Sequence, residues 1–195
     1  MIETIFTQTV ETPCGWLILQ STGKALICCD WAEGWHRETV NRRLERYFPR
    51  KRVEQKADDI ITRTEEELRE YFAGSRRSFD IPLDLAGTDF QRAVWDELLR
   101  IDFGKLVTYC DIAAVIGRPK AVRAVGVAVG ENPCSILVPC HRVVGSNRSL
   151  TGYGGGYDAK RRLLEIEGFV FAEHATSNAA LKACSCRQMG LRFNS

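Results

Sequence analysis

The spacing of apolar positions changes several times along the chain. Residues 1–30 read as strands. Gly15–Gln20 and Lys24–Asp30 are apolar-rich runs joined by Ser21-Thr22-Gly23, a hairpin signal. From Trp35 to Phe48 the spacing turns helical, with Val40, Leu44 and Phe48 four apart in a charged background, and Pro49 ends the helix. Pro49-Arg-Lys-Arg52 reads as a solvated loop, with a nuclear signal as the alternative. Thr64-x-x-Glu67 has the form of a capping box and predicts a short helix that Gly74 closes. Residues 75–87 read as a linker holding a short strand, Phe79–Leu83, and a domain boundary is expected near residue 87.

Helical spacing dominates after that point. Thr88-x-x-Gln91 is a second capping box, and the helix it opens places Phe90, Val94, Leu98 and Ile101 on one face before Phe103-Gly104 breaks it. Thr108 caps a helix Tyr109–Ile116, closed by Gly117; the next helix begins near Pro119 and runs to about Glu131. Two short helices joined this way predict a helix-turn-helix. In the second, Ala121, Ala124, Gly126, Ala128 and Gly130 leave one side nearly free of bulk. Each glycine disfavours a helix by about 1 kcal/mol, so close approach of another surface is expected. That surface is either a neighbouring helix or a nucleic-acid groove into which Arg123 projects. Ile136–Val144 is an apolar run interrupted by Pro139-Cys140-His141-Arg142, residues 145–157 are a Gly-rich loop, and a final helix covers Ala159–Glu167. Residues 173–195 lack periodicity and predict a mobile tail.

Composition narrows the classes. The 195 residues are 45 % apolar and 27 % charged, which excludes a disordered or fibrous chain. The net charge is only +2, but residues 105–162 carry nine Lys/Arg against three acids, a block that suggests an anionic partner. The opening MIETIFTQTV has neither the basic nor the apolar region of a secretory signal, and no run approaches a membrane span. A cytoplasmic or nuclear setting is therefore expected, with the eight cysteines reduced. Their spacing forms no zinc pattern, the histidines (36, 141, 174) are scattered, and neither metal nor cofactor is expected.

Most of these cysteines read as small buried hydrophobes. Cys140, beside His141 within an apolar run, reads either as a buried thiol next to a core histidine or as a nucleophile with its base. Ionising a free thiol fully at neutral pH takes a shift of about two pKa units, roughly 2.7 kcal/mol, which a basic neighbour would supply. Adjacent residues of a strand face opposite ways. Cys140 and His141 therefore either sit at a bend enforced by Pro139 or communicate through a bridging water.

Val-Pro-Cys-His-Arg-Val at 138–143 resembles the signature of the O6-alkylguanine-DNA alkyltransferases, also called methylated-DNA–protein-cysteine methyltransferases. In order and spacing, the likeness extends to Tyr109, to Arg123 within Lys120-Ala-Val-Arg-Ala-Val-Gly126, and to Asn132-Pro133. It continues through Thr151-Gly-Tyr-Gly-Gly155 and Leu163-Leu-Glu-Ile-Glu-Gly168, and Leu68-Arg-Glu-Tyr-Phe-Ala-Gly74 is similar to bacterial members. The resemblance implies an α/β, ribonuclease-H-like N-terminal domain over 1–87 and a mainly helical C-terminal domain over 88–172. The latter would carry a winged-helix-like helix-turn-helix, and the tail 173–195 would follow. It implies irreversible, stoichiometric repair of O6-alkylguanine in double-stranded DNA by a monomeric protein.

The same resemblance makes Cys140 the alkyl acceptor, His141 a base acting through a water, Glu167 the carboxylate holding that histidine, and Asn132 the stabiliser of the adjacent turn. It makes Tyr109 the residue beside the 3′ phosphate that donates to the guanine ring nitrogen. Arg123 becomes the finger entering the base stack from the minor groove, on a surface with Lys120, Ala121, Ala124 and Gly126. The Cys140 and Val143 carbonyls would accept from the guanine amino group, and Tyr153, Gly154 and Ser135 would line the pocket. Ser135 stands where some members carry proline, and Gly154 where some carry serine. Three other readings belong to other classes: a non-catalytic binder of alkyl lesions, a helix-turn-helix regulator, and a Cys-His acyl hydrolase. Cys140 opposes the first, the chain length the second, and Arg123 with the basic block the third.

Overall fold

In the computed structural model, which describes residues 3–49, 51–150 and 152–171, the strand signals near the N-terminus become one sheet. Strands β1 (Glu3–Thr12), β2 (Gly15–Ser21) and β3 (Leu26–Trp31) run antiparallel, with Val10 opposite Leu17 and Leu19 opposite Cys29. Gly23 supplies the positive φ of 80° that the β2–β3 turn requires. Every residue of β3 is buried, which marks it as a strand covered on both faces. Helix α1 (Arg37–Tyr47) buries Val40 and Leu44 as its spacing predicts.

Three local expectations are corrected. Lys51–Glu54 is a strand, β4, parallel to β1, not a solvated loop. Its charged sequence hides it because an edge strand needs only its backbone to pair, and edge charges discourage further pairing. Helix α2 spans Asp59–Phe72 and is capped by Asp58, whose side chain accepts from the Ile61 amide. Thr64 is buried one turn inside, its hydroxyl donating to the Ile60 carbonyl, and Glu67 accepts from the Asp80 amide. The Thr64–Glu67 pattern is therefore not a cap; an apolar turn, Ile60-Ile61, precedes it and belongs inside the helix. Phe79–Leu83 is not a strand: only Leu83 forms a bridge, with Leu26, flanked by Leu26 N–H to the Pro82 carbonyl and Asp84 N–H to the Leu26 carbonyl.

Downstream, α3 (Asp89–Leu98) and α4 (Tyr109–Val115) each begin with a full capping box, Thr88 with Gln91 and Thr108 with Asp111. Helix α5 (Val122–Gly130) starts later than the proline at 119 suggests, after a turn closed by Ala121 N–H to the Arg118 carbonyl. Trp95 of α3, fully buried, donates to the Ala128 carbonyl and fixes α5 against α3. Two-residue strands β5 (Val107–Thr108) and β6 (Val143–Val144) pair beside this helix-turn-helix, and α6 (Gly156–Ile166) closes the described chain. The tail 173–195 lies outside the described residues.

One continuous apolar core joins the halves. It runs from Leu17, Leu19 and Leu26 of the sheet through Tyr71 of α2 to Val94, Trp95, Val125 and Leu163. At the junction the Cys29 amide donates to the Pro133 carbonyl, so the segment leading to Cys140 covers the edge of β3 that no other strand of the sheet pairs.

Candidate active site

The segment that carries Cys140 is built around a strained turn. Ile136, a β-branched residue, has a φ of 74°, a conformation that costs on the order of 1–3 kcal/mol. The Asn132 side chain holds it in place. Its Oδ1 accepts from the Cys134 amide at 3.0 Å, and its Nδ2 donates to the Val138 carbonyl at 2.8 Å and to the Cys140 Sγ at 3.1 Å. Pro139 then sits at φ −79°, ψ 62°, with Cys140 N–H on the Val138 carbonyl at 2.7 Å. This is an inverse γ-turn, for which the proline ring is already set. Cys140–Arg142 follow as one turn of 3₁₀ helix. The chain thus bends at Pro139, immediately before Cys140 and His141.

His141 is completely buried, and its Nε2 meets Glu167 Oε1 at 2.8 Å. With the proton assigned to Nε2 by that partner, Nδ1 keeps a lone pair that nothing among the described residues engages. Glu167, at the end of α6, also accepts from both Arg142 Nε and Nη2, from the Gly104 amide at 3.0 Å, and from the Tyr71 hydroxyl at 2.9 Å. Burial alone would raise its pKa, but the bonds and charges of His141 and Arg142 prevail and hold it down at about 2. Burial, helped by Arg142 and Lys160, lowers the pKa of His141, so the ring is neutral.

The thiol departs from the expectation of a pre-formed thiolate. Burial pushes Cys140 up to about 11; the Asn132 bond and the Lys160 charge oppose this without overcoming it. Lys160 is itself buried and donates to the Val143 carbonyl at 2.6 Å, and burial lowers its pKa to about 8. The resting pair is therefore a thiol beside a neutral imidazole.

The remaining expected residues fall into three places. Tyr153 is buried and packs edge-on against His141, with ring centroids 6.4 Å apart. Tyr109 opens α4. A Cβ on Gly126 would lie 3.9 Å from its ring and one on Gly152 3.4 Å from its hydroxyl, so Tyr109 stands between α5 and the active-site loop. Arg123, Ala124 and Lys120 are exposed on or just before α5, together with Val127, while Ala121 and Gly126 are half-buried. Ala128 and Gly130 face inward, so the small residues serve two surfaces: packing on Trp95 and Trp35, and an open outer face. Ser135 donates to buried Asp30 at 3.2 Å. The Val143 carbonyl already accepts from Lys160, leaving its second lone pair for a ligand.

Sequence reading missed Tyr71, Arg142 and Lys160 as members of this network. A buried Arg142 next to the Cys-His pair carries a local signal, since a buried charge needs a partner. Tyr71 carries none: its bond to Glu167 spans 96 positions. Cys28, Cys29 and Cys134 are buried free thiols, and no metal-binding group of three or more His, Cys, Asp or Glu occurs among the described residues.

Residues 5–85 match the family model for the ribonuclease-like domain of 6-O-methylguanine DNA methyltransferase, and residues 89–169 match the model for its DNA-binding domain. The chain is 44 % identical over 161 residues to the methylated-DNA–protein-cysteine methyltransferase of Mycobacterium tuberculosis, covering 82 % of this chain and 90 % of that one. The enzyme of the same name from Haemophilus influenzae is 39 % identical over 169 residues, covering 86 % and 88 %. A Mycobacterium tuberculosis relative solved in complex with DNA superposes with a TM-score of 0.71 at 41 % identity, over 83 % of this chain and 92 % of that one.

Proposed function

Since this chain belongs to the 6-O-methylguanine DNA methyltransferase family, we propose that Cys140 is its acceptor and that the buried His141–Glu167 pair drives the transfer. The protein repairs DNA by moving an alkyl group from O6-alkylguanine to its own cysteine. The observation that carries the assignment is the free Nδ1 of His141, fixed as a base by Glu167, beside a thiol held by Asn132.

An O6-alkyl group inside a duplex is out of reach, so the base must rotate out at a cost of a few kcal/mol. The outer face of α5, with Arg123 flanked by Ala124 and Val127, suits close approach to the minor groove and a side chain that fills the vacated stack. With Cys140 at about 11, only about one thiol in ten thousand is ionised at pH 7. Its proton therefore passes to His141, directly or through one water, as the sulfur attacks the alkyl carbon. The carbon–O6 bond breaks, the C–S bond forms, the Tyr109 hydroxyl gives the guanine its proton, and the proton taken up by His141 is returned through solvent to the Tyr109 phenolate. Glu167, itself held in place by Arg142, stabilises the imidazolium that results. The product is a thioether with no carbonyl for water to attack, so each molecule acts once. We place this monomeric protein in the cytoplasm, where its buried free thiols stay reduced.

With lesions in excess, repaired bases should plateau at the number of active molecules. Turnover beyond that point would replace this reading with a hydrolytic one.

A further inference from the structure

Tyr153, packed against His141, opens the run 153–155, which residues at the end of β3 and between β3 and α1 hold from behind. Trp35 Nε1 donates to the Tyr153 carbonyl at 3.3 Å, and Trp31 packs edge-on to the Tyr153 ring with centroids 6.0 Å apart. A Cβ on Gly154 would stand 2.0 Å from His36 Cε1, and one on Gly155 would stand 2.5 Å from Trp31 Cε2. Neither glycine has a positive φ. The backbone there accepts any residue, so what demands glycine is the rings behind it. His36 cannot retreat: it is 3 % exposed, and its Nε2 meets Asp30 Oδ1 at 3.2 Å. Asp30 is itself fully buried and receives the Ser135 hydroxyl from the segment leading to Cys140. The chemistry at Cys140 uses neither Asp30 nor His36, yet burying such a pair costs free energy that a purely apolar contact would not.

We propose that His36, braced by Asp30, is a specificity-determining residue that limits the size of the alkyl group Cys140 accepts. In this reading residues 153–155 cover Cys140, and the transferred group must fit between them. A larger group requires residues 153–155 to move outward, and the His36 ring occupies the space into which Gly154 would move. Trp31 does the same behind Gly155. The N-terminal half thus sets the adduct range of a reaction whose atoms all lie in the C-terminal half. This inference rests on Cys140 being the acceptor.

The test compares single-turnover rates on O6-methylguanine and O6-benzylguanine in one duplex sequence. His36→Ala should raise the benzyl-to-methyl ratio about tenfold, the effect of about one methylene's worth of space. Gly154→Ala should slow both substrates, and adding His36→Ala to it should restore most of the loss. His36→Asn, smaller but still able to bond Asp30, gives the same reading if His36→Ala does not fold. Wild-type reaction at Cys140 with an unchanged ratio in the folded His36 variants would overturn this inference alone. A fully active Gly154→Ala would also overturn it, whereas an unreactive wild-type Cys140 would overturn the acceptor assignment itself.

Discussion

The outer face of α5 and the turn at Cys140 are built on opposite principles. On α5, Arg123, Ala124 and Val127 are exposed, and the flanking Lys120 is exposed as well. Around Cys140 every polar group is buried, and Glu167 alone collects donors from His141, Arg142, Tyr71 and Gly104. The first surface keeps its binding capacity for a partner. The second has satisfied nearly all of its own, and among the described residues the His141 Nδ1 and the Tyr153 hydroxyl stay open. On the proposed reading, capture and extrusion of the base belong to the open face and transfer to the closed one, and substitutions in the two should separate by step.

The largest separation comes from the closed site. His141→Ala should slow transfer about a hundredfold or more at pH 7, and the shape of its pH profile is diagnostic. In the wild type the reactive thiolate–imidazolium pair has the same protonation as the resting thiol–imidazole pair. The rate should therefore fall below pH 6.5 as His141 takes up a proton, and stay level from neutrality toward the thiol value near 11. Without the base only free thiolate reacts, so His141→Ala should gain about tenfold per pH unit across the same range. A level profile in the variant would remove His141 from proton transfer.

On the open face, Arg123→Ala should slow repair in duplex DNA about tenfold while leaving reaction with free O6-benzylguanine nearly intact, because a free base needs no extrusion. Equal slowing of both would make Arg123 a folding or pocket residue. Tyr109 stands between the two regions, and Tyr109→Phe should slow both substrates equally at every pH, since it removes a proton donor and not the base.

Stability separates the regions too. The folded pKa of Glu167 is depressed, so its contribution is complete above its unfolded value near 4.5 and is lost as pH falls toward about 2. That contribution is about 3 kcal/mol, and it should appear as loss of melting temperature in acid that Glu167→Gln makes shallower. Glu167→Gln should also cost about 3 kcal/mol at neutral pH by leaving Arg142 buried without its carboxylate. Arg123→Ala, fully outside this network, should leave the acid limb unchanged. The smallest effect belongs to Tyr71→Phe, which keeps the buried ring and removes one donor to Glu167; a loss of about 1 kcal/mol is expected in a denaturant titration.

What the sequence made legible was what depends on neighbours in the chain. The boxes at Thr88 and Thr108 form within four residues, and the ordered residues from Tyr109 to Glu167 reveal the family. The edge strand Lys51–Glu54 was not legible, because its pairing is with a backbone far away in sequence and its side chains are charged. Thr64 and Glu67 mimic a cap whose true residue, Asp58, is recognisable only once Ile60 and Ile61 are seen to be inside the helix. The protonation state of Cys140 also lay beyond the local sequence, since a basic neighbour is visible there and complete burial is not. Tyr71, Asp30 and His36 reach the site only through the packing of the two halves.

The most direct measurement is peptide mapping by mass after reaction with an O6-methylguanine duplex. The account predicts one methyl-for-hydrogen gain, confined to the peptide carrying Cys140 and absent in Cys140→Ala. Methylation at Cys134 or Cys110 with Cys140 untouched would contradict it.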